Sequence, residues 1–231
     1  MSSQDAAARL RGLSLPLVLG SSSKYRAQIL RDHGISFSVQ VPDIDEKAIT
    51  THPDDRAQSD PAALVLKIAH AKADRLLVQE TTAKSPPAQQ TDSHPSSDAV
   101  QNPPHLLVCC DQVTVFDGQI REKPVDREEC RRYLRSYSTT KPAETYSSVV
   151  VVNTATKQRA EGVDIAKQYF HPVPDAVIEQ LIEKGDVMYC CGGFLIDDDL
   201  IVPYLAERVG ETDSIIGLPL QLLASLVAKV C

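Results

Sequence analysis

The 231-residue sequence lacks the features that mark several common classes of protein. No apolar run approaches the roughly eighteen residues of a membrane-spanning helix, so no membrane association is expected. The formal net charge of −7 argues against binding of a nucleic acid polymer or an anionic membrane through bulk positive charge. It leaves room for a single nucleotide held by a local basic cluster.

Metal-binding patterns of cysteine and histidine are also missing. The six cysteines form no Cys-x-x-Cys motif and no zinc-like spacing, and the six histidines show no ligand pairing. Such cysteines fit a reducing compartment, so a cytoplasmic location is expected. Residues 1–14 include Asp5 and lack a long apolar stretch, which predicts a flexible tail and no secretory signal.

The sequence signatures of three enzyme classes do not occur either. There is no serine-hydrolase elbow, no Walker loop and no glycine-rich dinucleotide motif. A catalytic site, if one exists, has to be sought in other polar segments of the chain.

What the sequence does contain is an alternation of strand and helix patterns. Strands are predicted over 15–20, 37–42, 106–110 with 113–116, 147–152 and 158–169, and helices over 23–33, 61–79, 175–184 and from 126 and 218 onwards. This order predicts an α/β fold, with a mixed sheet and helices on both faces, in a single domain over 15–231. Residues 80–104 are rich in Pro, Ser, Thr, Gln and Asp, which predicts a flexible insertion.

A serine-rich turn, residues 21–26, follows the first predicted strand. It opens the 23–33 helix, and Ser22 or Ser23 is a suitable N-cap. A helix N-terminus attracts anions through its unpaired N–H groups and partial positive charge. The lysine and arginine of this turn are unfavourable for the helix itself unless an anion binds. The turn is therefore either a phosphate cradle or an ordinary capped helix with surface cations.

Two charged residues interrupt apolar patterns of the predicted core. Lys72 lies on the core-facing stripe of the 61–79 helix, where it must extend to solvent, pair with a carboxylate or meet an anion. Asp111 ends the apolar run of 106–110 and is either a metal ligand or base at a strand end, or a polar residue at a bulge.

Three other charged segments are weaker signals. The acidic segment 43–46 follows the second predicted strand and is a candidate metal site beside the turn. A hairpin turn at 117–118 could return Lys123 to the same cleft. Residues 197–199 are three aspartates, which form either part of a cation site or a solvated loop.

Seven of these short segments occur in a recognisable order: 21–26, 42–46, 71–73, 111–113, 122–124, 192–194 and 217–220. In this order they resemble the Maf family of nucleoside triphosphate pyrophosphatases, related in architecture to the inosine triphosphate pyrophosphatases. The resemblance runs from about Leu17 to Leu226, with 80–104 as an insert. It implies a two-lobed fold with a cleft between the lobes, and hydrolysis of the α–β phosphoanhydride of a nucleoside triphosphate.

The resemblance also implies a phosphate-binding set. Ser21, Ser23 and Arg26 would hold the phosphates. Lys72 and Lys123 would neutralise the triphosphate charge. The implied partner is thus a nucleoside triphosphate, while a homodimer is left open.

The resemblance further implies a metal site and a base site. Glu46 and Asp111 would bind Mg²⁺, or another divalent cation such as Mn²⁺, or would position water. Asp111 is also the implied base that activates the attacking water. Tyr25, Gln112 and Asp197 occupy positions that distinguish two subgroups of the family, and they are closer to the 7-methyl-GTP type. UTP, dTTP and CTP stay open as substrates.

Four positions depart from the family pattern. Lys24 replaces the usual proline, Ala27 stands where a second arginine is usual, and Glu122 replaces a glycine. Ser138-Thr139 stands in place of a Ser-Gly turn. The alternative function is therefore a nucleotide-binding regulator with degraded catalysis.

Overall fold

The predicted alternation of strands and helices forms one mixed sheet with helices on both faces. The computed structural model describes residues 2–51, 56–82 and 103–231. Its strands are β1 Leu17–Gly20, β2 Phe37–Gln40, β3 Leu106–Phe116, β4 Gln119–Arg121, β5 Ala143–Asn153, β6 Arg159–Phe170 and β7 Leu205–Val209. Its helices are α1 Ser3–Arg11, α2 Lys24–Asp32, α3 Pro61–Thr82, α4 Arg127–Ser136, α5 Asp175–Lys184, α6 Thr212–Ile216 and α7 Leu220–Val230.

The sheet has the strand order β2-β1-β3-β5-β6-β7, and β4 pairs with the end of β3. β1 runs parallel to both of its neighbours, whereas β3, β5, β6 and β7 pair in antiparallel fashion. The α/β class and the mixed sheet are therefore confirmed.

β3 differs from the sequence prediction in one respect that matters for the site. It is a single strand of eleven residues, so Asp111 lies within it, opposite Ser148, rather than at its end. The sequence predicted Asp111 at a strand end or a bulge, and the structure shows neither, because the pairing with β5 continues through this polar residue. The strand that does end nearby is β1, whose last residue, Gly20, pairs with Cys109.

The apolar residues of β3 alternate between two faces, as the period of a strand requires. Leu107 and Cys109 pack beneath α3, while Val108 and Cys110 face the side that α1, α2 and α7 cover. Asp111 and Gln112 continue this alternation, so their side chains also point to opposite faces.

Helix α1 corrects the prediction of a flexible tail over 1–14. Ser2 and Asp5 form a reciprocal capping box at its start. Ala6, Ala7 and Leu10 are buried in the same core cluster as α7. The apolar stripe is short, and only packing against the distant C-terminal helix reveals its purpose.

A second core lies beyond Asp111, around the far end of β3. Phe116, Tyr137, Phe170 and Phe194 pack there with ring centroids 5.0–5.4 Å apart. α4 and α5 cover this part of the sheet. The two cores give the predicted two lobes, and a cleft runs between them.

The predicted insertion falls mostly outside the described residues. Residues 80–82 belong to α3, and residues 103–104 lead into β3. Among the described residues, no helix has both the length and the apolarity that crossing a bilayer requires.

Candidate active site

The cleft between the lobes has a volume of about 1320 Å³. Nine of the ten sequence-predicted site residues line it: Ser21, Ser23, Tyr25, Arg26, Glu46, Lys72, Asp111, Gln112 and Lys123. The tenth, Asp197, does not line it and is exposed nearby. The structure thus brings together residues that are up to about a hundred positions apart in the chain.

Lys72 lies between two carboxylates at the bottom of the cleft. Its Nζ is 2.8 Å from Asp111 Oδ1 and 3.1 Å from Glu46 Oε1. It also donates to the carbonyl oxygen of Cys110 at 3.2 Å. Of the three options open to a core-facing lysine, the structure therefore shows pairing with a carboxylate. We call Glu46, Lys72 and Asp111 the carboxylate centre.

The carboxylate centre is anchored from beneath. Asp111 and Lys72 are only 7% and 4% exposed. The backbone N–H of Asp111 donates to Ser148 Oγ at 3.2 Å, and that hydroxyl donates to the carbonyl oxygen of Val65 in α3 at 2.8 Å. The Ser148 hydroxyl thereby links the strand that carries Asp111 to the helix that carries Lys72.

Burial raises the pKa of Asp111, although Lys72 and Arg26 act in the opposite direction. Removing a carboxylate from water disfavours its charged form, and this cost outweighs the two nearby cations. A carboxylate with a raised pKa is a stronger base than an exposed aspartate. Asp111 is therefore a better proton acceptor than an exposed aspartate would be.

The serine-rich turn forms the wall at the end of β1. Ser23 is the N-cap of α2, and its Oγ accepts from Arg26 N at 3.4 Å. Ser21 Oγ accepts from Ser23 N at 3.1 Å and from Arg26 Nη1 at 3.3 Å. The turn thus presents a helix N-terminus, two hydroxyls and a guanidinium to the cleft, which is the chemistry that binds phosphate.

Arg26 is held in place from the opposite side. Its Nε donates to the carbonyl oxygen of Gly217 at 2.8 Å. Gly217 ends α6 with a left-handed φ of 119°, a conformation that favours glycine. The guanidinium is therefore a fixed cation, 9% exposed, at the edge of the cleft.

The side-chain amide nitrogen of Gln112 forms its hydrogen bonds within the protein. Its Nε2 donates to Ser147 Oγ at 2.8 Å and to the carbonyl oxygens of Ser214 and Ile215, each at 3.0 Å. Since all three partners are used as acceptors, the amide orientation is fixed. Only Oε1 is left to contact a ligand, and it can only accept.

Lys24 covers the ring of Tyr25 at the mouth of the cleft. Its Nζ lies 5.0 Å from the ring centroid and 2.8 Å from Asp186 Oδ1, on the opposite lobe. Burial raises the pKa of Tyr25, and Cys190, Asp186 and Asp197 act in the same direction. Asp197 therefore lies within electrostatic reach of this group. We call Lys24, Tyr25, Asp186 and Asp197 the rim.

Asp197, Asp198 and Asp199 do not act as one cluster. Asp198 is 4% exposed and pairs with Lys184 at 2.6 Å, whereas its two neighbours are exposed. Asp198 thus forms a structural ion pair, and Asp197 is the member of this run that belongs to the rim.

Two thiols line the cleft without being activated. Burial raises the pKa of Cys190 to about 11 and that of Cys191 to about 12. A thiol is nucleophilic only as a thiolate, so both are inert at neutral pH. All six cysteines of the chain are free.

The carboxylate centre is the candidate site for a cation, because it holds two carboxylates that contact the same lysine. Within 2–51, 56–82 and 103–231, no group of three or more His, Cys, Asp or Glu residues could hold a metal ion. Glu46 and Asp111 are two hard oxygen donors close to the same point. That number suits Mg²⁺, which commonly takes one or two carboxylates and completes its shell with water and substrate phosphates.

Sequence reasoning missed Arg56, which also lines the cleft. Its guanidinium contacts the Glu122 carboxylate and the carbonyl oxygen of Glu46. Nothing in the local sequence marks this arginine, because its partner lies 66 positions away.

Comparison with known proteins gives a consistent match along almost the whole chain. A family model described as Maf-like protein matches residues 16–230. A protein named 7-methyl-GTP pyrophosphatase from Dictyostelium discoideum is 41% identical over 94% of this chain and 98% of its own. One of the same name from Idiomarina loihiensis is 30% identical over 90% of each chain. A nucleoside triphosphate pyrophosphatase from Synechococcus is 30% identical over 93% of this chain and 94% of its own.

Proposed function

The chain belongs to the Maf-like protein family, and from this premise we propose that it is a nucleoside triphosphate pyrophosphatase that prefers 7-methyl-GTP. The observation that carries the proposal is the carboxylate centre, which lies in one cleft with the cations of the opposite walls. The names of the relatives support the same reaction. The products are a nucleoside monophosphate and pyrophosphate.

In the proposed reaction, water attacks the α-phosphorus, and the bond from this phosphorus to the bridging oxygen breaks. Asp111 takes one proton from the attacking water, which its raised pKa favours. Ser21, Ser23 and Arg26 hold the phosphates. Lys72 and Lys123 offset the charge that develops on pyrophosphate as it leaves. No side chain forms a covalent bond to the substrate.

We propose Mg²⁺, or Mn²⁺, as the cofactor, with Glu46 and Asp111 as its protein ligands. Two carboxylates and one lysine give the carboxylate centre an excess of one negative charge, which attracts a divalent cation. When bound, the ion offsets the phosphate charge. Lys72 keeps both carboxylates oriented toward the same point.

The preference for a methylated guanine rests on the rim and on Gln112. A 7-methylguanine base carries positive charge, so it is attracted by an aromatic ring and by a carboxylate. Tyr25 and Asp197 supply these two groups. Gln112 Oε1, which can only accept, suits the N–H donors on the guanine edge. Lys24 competes for the same ring, since it already lies over Tyr25.

The proposal is tested with a panel of nucleotides. Purified protein is incubated with Mg²⁺ and 7-methyl-GTP, GTP, UTP, dTTP or CTP, and pyrophosphate is measured. We expect turnover with the highest kcat/KM for 7-methyl-GTP. Saturable binding without pyrophosphate release would favour the regulator alternative, and a clear preference for pyrimidines would overturn the base assignment.

A matched pair of substitutions tests the proposed base. Asp111→Asn removes the proton acceptor and is expected to lower kcat/KM by roughly 10²–10⁴-fold for every nucleotide. Asp117→Asn makes the same chemical change at an exposed residue paired with Lys141, outside the cleft. The control should keep wild-type activity. Full activity in Asp111→Asn would show that this carboxylate is not the base.

Location and assembly belong to the same proposal. Six free thiols fit a reducing compartment, and we propose the cytoplasm. Whether two chains form a homodimer is tested by the molar mass of the purified protein in solution.

A further inference from the structure

We propose that Arg56 is a positioning residue, and that with Glu122 it fixes Glu46 and Lys123 on the wall of the cleft. The inference rests on the proposed function for the roles of Glu46 and Lys123. It assigns a purpose to two residues, Arg56 and Glu122, that those roles do not use.

Arg56 joins two separate segments through one guanidinium. Its Nη2 and Nε lie 2.6 and 2.8 Å from Glu122 Oε1. Its Nη1 donates to the carbonyl oxygen of Glu46 at 2.9 Å and also to that of Ile49. The side chain is 19% exposed. We call this set of contacts the Arg56 clamp.

One end of the clamp holds the segment that carries Glu46. This segment is a 3₁₀ helix of three residues, Glu46–Ala48, capped by Asp45. A turn this short has little stability of its own. The Glu46 side chain is 46% exposed, so packing does not fix it either. Bonds from a cation to the carbonyls at both ends of the turn supply the missing constraint.

The other end of the clamp holds the segment that carries Lys123. Glu122 directly follows β4 and directly precedes Lys123. Its own carbonyl oxygen accepts from Gly192 N at 3.0 Å, so the backbone is fixed from the far lobe as well. The clamp therefore sets the distance between a proposed metal ligand and a proposed phosphate-binding lysine.

Glu122 is one of the four departures from the family pattern, where a glycine is usual. In this chain it neutralises a guanidinium that is mostly removed from water. Without the carboxylate, Arg56 would be a poorly compensated charge beside a cation-binding cleft. The departure is thus matched by a partner rather than being a loss.

The test compares Arg56→Ala, Arg56→Lys and Glu122→Gln with a control, Arg135→Ala. Arg135 pairs with Asp175 at 2.8 Å, away from the cleft. Binding of a non-hydrolysable 7-methyl-GTP analogue is measured by calorimetry over a series of Mg²⁺ concentrations. We expect Arg56→Ala and Glu122→Gln to weaken Mg²⁺-dependent binding by roughly 10–100-fold, the usual loss when a supporting residue is removed.

Two patterns separate positioning from a general loss of stability. Arg56→Lys should recover part of the affinity, since an ammonium keeps the charge but not the planar fork. The double variant Arg56→Ala/Glu122→Gln should be no worse than Arg56→Ala alone, because Glu122 acts through Arg56. Additive losses would overturn the proposal.

A second measurement needs neither ligand nor turnover. Hydrogen exchange of residues 45–50 in the ligand-free protein should accelerate in Arg56→Ala and remain unchanged in Arg135→Ala. Unchanged exchange and unchanged analogue affinity in Arg56→Ala would overturn the clamp. If the wild-type protein binds the analogue but releases no pyrophosphate from any nucleotide of the panel, the proposed reaction fails. The clamp is still tested by binding of the analogue and by hydrogen exchange.

Discussion

The carboxylate centre and the rim are two ends of one cleft, but they differ in their access to water. Lys72 and Asp111 are almost fully buried, whereas the Lys24 side chain is 65% exposed. Charges act strongly on one another where water is excluded and weakly where it is not. The same pairing of lysine with aspartate therefore has a large effect at one end and a small effect at the other.

This difference separates reaction from recognition. The buried end can shift the pKa of a base and offset phosphate charge, which every nucleoside triphosphate requires. The exposed end can only favour one nucleobase over another. Substitutions at the carboxylate centre should affect all substrates alike, and substitutions at the rim should change their order.

Lys72→Met should show the largest effect in this comparison. It leaves Glu46 and Asp111 without their shared cation, and kcat/KM is expected to fall by roughly 10²–10³-fold for all nucleotides. Because Lys72 lowers the pKa of Asp111, its removal should raise that pKa further. Activity requires the ionised base, so the acid limb of the pH profile should move to higher pH.

The pH dependence of kcat/KM from pH 4 to 9 measures this shift. In the wild type, the acid limb should lie above the ordinary range of an aspartate, since burial raises the pKa. Lys141→Met is the matched control, because Lys141 is an exposed lysine that also pairs with an aspartate, Asp117, outside the cleft. An acid limb that stayed in place in Lys72→Met would break the link between these two residues.

Tyr25→Ala should have an intermediate effect, restricted to one substrate. Loss of the ring is expected to lower kcat/KM for 7-methyl-GTP by roughly 5–30-fold, the value of a partly buried cation–π contact. GTP, whose guanine base carries no positive charge, should be affected less. Tyr25→Phe keeps the ring and should keep the preference. An equal loss of kcat/KM on both substrates in Tyr25→Ala would show that Tyr25 packs α2 and does not recognise the methylated nucleobase.

Lys24→Ala should have the smallest effect, and in the opposite direction. It removes an exposed ion pair with Asp186 and uncovers the Tyr25 ring. KM for 7-methyl-GTP is expected to fall by up to about fivefold, within the range of exposed ion pairs. Added salt should screen the ion pair in the wild type and thereby reduce the difference in KM between wild type and variant. A rise in KM would show that Lys24 itself binds the substrate.

Part of the site was predictable because some of its residues violate a local pattern. Lys72 interrupts the apolar stripe of α3, and Asp111 interrupts the apolar run of β3. Serines and cations at the start of α2 have a direct physical meaning at a helix N-terminus. Such violations are visible in a single sequence, and together with the resemblance to the Maf family they led to nine residues that line one cleft.

The features that were missed depend on partners far away in the chain. Helix α1 is ordered by α7, and Arg56 is fixed by Glu122. Neither segment violates a local rule, so its own sequence gives no signal. The position of Asp111 within β3 was missed for a related reason, since the pairing with β5 continues through the polar residue.

The unbroken course of β3 has a mechanical consequence. The strand enters one lobe at Leu106, leaves the other at Phe116, and is paired with β5 along nearly its whole length. A strand paired in this way behaves as a beam that resists bending. Asp111 lies near the middle of this strand, where its backbone is fixed by the pairing with Ser148 of β5. The proposed proton acceptor is thus carried by a strand that both lobes share, and its position does not depend on a loop.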